Sequence, residues 1–73
     1  MENEITVTKF IRDEGTLVVF QGTDEHGYTV NFVAEHRFAQ DIYNALVAGE
    51  ESPIAVVPDY MILSRTSMPD ETP

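Results

Sequence analysis

Between Tyr28 and Gly49 the spacing of apolar positions changes once. Tyr28 to Glu35 alternates apolar and polar residues, the period of a strand. Beyond Glu35 the apolar residues recur at Phe38, Ile42, Ala45 and Leu46, the period of a helix. One apolar surface therefore runs from strand into helix. The helix is predicted to start at Glu35 or His36 and to end at Gly49, a residue suited to the left-handed position beyond a helix. Ala39 and Tyr43 widen its apolar stripe, while Arg37, Gln40, Asp41 and Asn44 face away.

Upstream, Asn3 to Arg12 and Thr16 to Thr23 are rich in β-branched and aromatic residues and read as strands. Asp13-Glu14-Gly15 and Glu25-His26-Gly27 read as three-residue hairpin loops, each with glycine in the left-handed position beside a bulge. The first loop sets Phe10 opposite Val18, Ile11 opposite Leu17 and Thr8 opposite Phe20. The second sets Phe20 opposite Phe32, Gly22 opposite Val30 and Val18 opposite Ala34. With both registers, one face carries Phe10, Val18, Phe20, Tyr28, Val30, Phe32 and Ala34. The other carries Ile5, Val7, Ile11, Leu17, Val19 and Val33, with Lys9 among them. Two apolar faces predict a sheet curled into a barrel, or a second face kept for a partner.

The last apolar stretch, IAVVPDYMILS, is interrupted by Pro58, which lacks a ladder amide and argues for an edge strand, a bulge, or a bend that divides the stretch into two short strands. The last strand is therefore expected to be bent or split there. The expected fold is α+β, a small antiparallel sheet or open barrel in the order β-β-β-α-β. It forms one domain over 1–64, followed by a disordered tail over 65–73 whose sequence, RTSMPDETP, lacks an apolar pattern.

Charge narrows the function classes. Thirteen acidic residues against four basic ones give a formal charge of -9 in 73 residues, which disfavours nucleic acid and anionic membrane surfaces as direct partners. There is no cysteine, hence no disulfide, thiolate metal site or thiol nucleophile. The start MENEITV is acidic and no apolar run is long enough for a signal or a membrane span. An untargeted, soluble, cytoplasmic protein is expected. His26 and His36 each neighbour acids but lack a metal-ligand spacing. The pairs Asp13-Glu14, Asp24-Glu25 and Glu50-Glu51 fall in turns, where little raises a carboxyl pKa for proton donation. No serine or glycine pattern suggests a nucleophile or a phosphate loop, so neither enzyme activity nor a cofactor is expected. What remains is surface. An apolar patch of Ile5, Val7, Ile11 and Leu17, rimmed by Glu2, Glu4, Asp13 and Glu14, would suit a protein partner with an apolar centre and a basic rim. The same residues would otherwise be core, covered by Val57, Met61 and Leu63. Strand addition at an exposed edge is a second mode.

The short acidic chain, its start MENEITV and its cysteine-free strand-and-helix core ending in YMILS resemble the very small acidic regulators that bacteriophages make to bind and redirect host RNA polymerase. The likeness spans the chain but contains no diagnostic motif, so it carries over no residue roles. It implies a non-enzymatic transcription inhibitor or antiterminator whose partner is a polymerase subunit. Two other functions fit the same composition: an inhibitor of a defence nuclease whose acids imitate phosphates, and a structural or oligomerisation module that forms a homodimer.

Overall fold

A computed structural model describes residues 2–49 and 52–66. Strand β1 (Glu2–Asp13) is followed by β2 (Leu17–Asp24), β3 (Thr29–Glu35), helix α1 (His36–Ala48), β4 (Ile54–Pro58) and β5 (Ile62–Thr66), with a 3-10 turn at Asp59–Met61 between the last two. The strands form one open antiparallel sheet in the order β4-β1-β2-β3-β5, with α1 across one face. The expected α+β order is present, and the last stretch is split just after Pro58.

The β2–β3 hairpin follows its predicted register, with Phe20 paired to Phe32, Gly22 to Val30 and Val18 to Ala34. Gly27 takes a positive φ of 88°, and its N–H donates to the Asp24 carbonyl, closing the three-residue loop. The two phenylalanine rings stack 5.9 Å apart and are fully buried.

The β1–β2 register differs from expectation. The Glu14 N–H donates to the Leu17 carbonyl, so the hairpin closes round Gly15-Thr16 rather than Asp13-Glu14-Gly15. Two irregularities, between Val7 and Lys9 and between Phe10 and Arg12, then pair Phe10 with Phe20 and Val7 with Gly22. Each inserts a residue, Thr8 and Ile11, that has no partner opposite it and changes the face presented by those that follow. Ile5, Val7 and Phe10 consequently share the helix-covered face with Val18, Phe20, Val30 and Phe32. The other face keeps a small apolar group, buried Val19 with partly buried Leu17 and Val33, beside a polar row. Gln21 donates to Asn31, which donates to Ser64, a ladder crossing three strands. The helix-covered face holds the main core; of the residues expected on the other face, Leu17, Val19 and Val33 stay there, whereas Ile5 and Val7 do not.

Helix α1 ends as predicted, with Gly49 at φ 71° and its N–H donated to the Ala45 carbonyl. Ala39 is its buried contact, with Ile42 and Leu46 packed beside it. Phe38, expected in the stripe, is more than half exposed, and Tyr43 packs edge-on against Phe10 at 5.5 Å.

Strands β4 and β5 lie on opposite edges of the sheet yet are joined by only three residues. At roughly 2 Å of rise per residue, such a link forces the two edges together at that end, so the sheet is strongly curled. The bulges in β1 supply the bend. Asn3 ties the curl: its amide donates to the Val57 carbonyl at 3.0 Å and to Asp59 Oδ1 at 2.8 Å, and its carbonyl oxygen accepts from Arg65 Nη2 at 3.5 Å. Arg65 and Thr66, expected in the tail, belong to β5, and the remainder of that tail, 67–73, lies outside the described residues.

Candidate functional site

The residues expected to form a partner patch do not come together. Ile5 and Val7 are fully buried under α1, because the bulges turn them inward. Ile11 and Leu17 are half-buried. Glu2 and Glu4 are exposed, but Asp13 and Glu14 lie some ten residues further along the chain, about 30 Å away for an extended strand. Ile5 and Val7 are core, as the alternative reading expected, with Val57 buried beside them and Met61 packed against the same cluster, whereas Leu63, expected in that cover, is exposed.

The apolar surface that is open lies at the seam of the curl. β5 pairs with β3 only from Thr29 to Phe32, whereas β3 continues to Glu35 along β2. The last turn of that strand, the side of α1 bearing Phe38, Asp41 and Ile42, the strand β4, and Tyr60 and Met61 of the 3-10 turn enclose a groove of about 440 Å³. Its floor is core: Phe32 and Val57 are buried, and Ala34, Ala55, Ile42 and Met61 are partly so. Its rim holds four large apolar side chains in solvent, Phe38 (54% exposed), Ile54 (65%), Val56 (58%) and Tyr60 (83%). Glu35 and Asp41 are its acids, and no Lys or Arg lines it. One cation stands nearby: the Arg37 guanidinium lies 5.0 Å from the centre of the Phe38 ring.

Local sequence explains this arrangement. Pro53 and Pro58 bracket β4 and confine it to five residues at an edge. Within it the alternation is simple. Ala55 and Val57 turn to the core, and Ile54 and Val56 turn out. The signal that identifies the groove from sequence is the uncharged run IAVV between two prolines, because edge strands ordinarily carry a charge.

The polar groups form other, smaller arrangements. One oxygen of Asp24 accepts the N–H groups of His26 and Tyr28, both at 2.9 Å, and the other faces Arg65 Nε at 3.2 Å. Burial opposes ionisation of this carboxyl, but the Tyr28 and His26 amides and the Arg65 charge outweigh it and hold its pKa below the ordinary value. Asp13 is held low as well, first by the Gly15 N–H and then by His36, whose Nε2 stands 3.4 Å from Oδ2. His26 lies 3.9 Å from Glu25. Among the described residues no three His, Asp or Glu side chains are grouped as metal ligands, and no helix is long and apolar enough to cross a membrane. The pair Glu50-Glu51 lies outside the described residues.

Comparison with protein-family models, curated proteins and solved structures gives no match.

Proposed function

We propose that this chain is a non-enzymatic protein-binding module that acts by occupying a surface of a larger protein. The observation that carries this reading is the gathering of Phe38, Ile54, Val56 and Tyr60 round one apolar groove on a chain of charge -9. Exposed apolar side chains scattered singly are ordinary; concentrated on the rim of an open groove, they mark a contact surface. The acids in the groove wall favour a basic approach and set its orientation.

Bacterial RNA polymerase is the target we propose, supported by the resemblance to small acidic phage regulators, with the host cytoplasm as the place of action. Binding would inhibit or redirect transcription by steric and electrostatic occupation, without chemistry. The alternative in which acids imitate phosphates calls for fixed rows of charge. Glu2 and Glu4 share a strand face, whereas Asp13 and Glu14 stand at one loop and Glu25 in another.

The experiment is retention of purified bacterial RNA polymerase on immobilised protein, together with promoter-dependent transcription in vitro. Retention and altered transcript yield are expected from the wild-type chain, with at least a tenfold loss of affinity for Phe38→Ser combined with Tyr60→Ser. Undiminished transcription with no retained polymerase would remove the polymerase as target.

A further inference from the structure

The outward edge of β4 has a chemistry of its own. The Val7 N–H donates to the Pro53 carbonyl, so the antiparallel alternation directs the backbone groups of 53, 55 and 57 toward β1. The N–H and C=O of Ile54 and of Val56, and the C=O of Pro58, then face the opposite way, where no strand of the described residues pairs with β4. This is the edge that borders the groove. It lacks the devices that usually keep an edge from pairing: it has no lysine, no inward charge and no bulge, only the prolines at its limits. Across the groove, β3 runs beyond the end of its ladder with β5.

We infer that the groove accepts an extended segment of a partner protein as an added strand along β4, and that this segment alternates apolar residues with Lys or Arg. The mode deepens the proposed function and rests on its choice of the groove as the binding surface. The segment's backbone meets the donors and acceptors of Ile54 and Val56. Its apolar side chains cover the floor of Phe32, Ala55, Val57 and Ile42, and its cations, on the alternate face with Ile54 and Val56, reach Glu35 at the end of β3. Charge selects this occupant over two others. A second copy would bring its own charge of -9 against the same acids. The chain's last residues, SMPDETP, hold two acids, two prolines and one large apolar residue, a poor match to an apolar, acid-walled groove. The prolines at 53 and 58 limit the added ladder to a few residues, which implies a modest affinity and a reversible complex.

Three capped heptapeptides test this on the full chain by amide NMR: KVKVKVK, the same sequence N-methylated at alternate residues, and EVEVEVE. The lysine peptide is expected to shift the Ile54 and Val56 amides and slow their hydrogen exchange at least tenfold at saturation. N-methylation of the face that bonds β4 is expected to weaken binding at least tenfold, and the glutamate peptide to leave both amides unmoved. Equal binding by the N-methylated peptide, shifts centred away from β4, or no shift at millimolar lysine peptide would each overturn the strand. Val56→Pro removes one outward donor from an exposed position and is expected to weaken the peptide at least tenfold. Polymerase retention unchanged by Val56→Pro would leave the binding module standing and overturn strand addition. A peptide bound along β4 by a protein that ignores polymerase would support strand addition and remove only the target.

Discussion

Asp24 accepts two backbone N–H groups of its own loop through one oxygen and faces Arg65 of β5 with the other, so a single carboxylate fixes the second hairpin and fastens the last strand. Its pKa lies below the ordinary value of 3.8, so the ionised form stabilises the fold above that value and the contribution is lost as pH falls through the folded-state pKa. Asp13 acts in the same direction. Urea denaturation followed between pH 6 and pH 2.5 is therefore expected to show falling stability below about pH 4, with a flatter profile in Asp24→Asn. Asp24→Asn keeps an acceptor for the loop, whereas Asp24→Ala leaves two N–H groups unmet. The second change is expected to cost about 2–3 kcal/mol at neutral pH and the first roughly half that. Gly22 tests a different constraint. A Cβ there would meet the Thr6 carbonyl oxygen inside contact distance and lie 2.6 Å from Ile5 Cγ2. Gly22→Ala is expected to lower stability by about 1–3 kcal/mol in the same assay, through displacement of β1. The sequence held a clue to this: an isolated glycine within an apolar strand signals close backbone approach or a bulge in the neighbour. What it did not show was which residue of β1 comes close.

Among the elements, the β2–β3 hairpin and α1 were legible because each is governed by local rules. A left-handed Gly27 fixes a turn, the turn fixes a register, and Gly49 ends a helix whose period is 3.6. β1 was not legible in the same way. Ile5, Val7 and Phe10 are spaced two and three apart, and a strict period of two sends Phe10 to the opposite face. The spare residue Thr8 restores a common face, and sheet curvature decides whether such a residue is paired or bulged out. The helix stripe was right at Ala39, Ile42 and Leu46 and wrong at Phe38, which the curl leaves over the groove. A pair of truncations separates these roles. Phe20→Ala, in the closed core, is expected to cost about 3–5 kcal/mol, enough to unfold a domain of this size. Phe38→Ala is expected to cost under about 1 kcal/mol while weakening partner binding, as thermal melts and a binding isotherm would show.

For the molecule as a whole, the charge of -9 opposes compaction and attracts a basic partner, so added salt acts on the two in opposite directions. Raising sodium chloride from about 10 to about 150 mM, where the screening length falls to about 8 Å, is expected to raise the melting temperature of the free chain. The same change is expected to weaken its complex with the lysine peptide. The amino-acid sequence alone determined the order of elements, the second hairpin register, the helix limits, the split after Pro58 and the acidic character. Each of these follows from local conformational preference or from composition, which need no knowledge of distant residues. Only the tertiary structure decided the β1 register, the gathering of Ile5 and Val7 with the phenylalanines on one face, the place of Arg65 in the sheet, and the groove at the seam. These depend on how far a five-stranded sheet curls before its edges meet, and that is a balance of bulges, a close approach at Gly22 and packing under α1 which no segment specifies by itself.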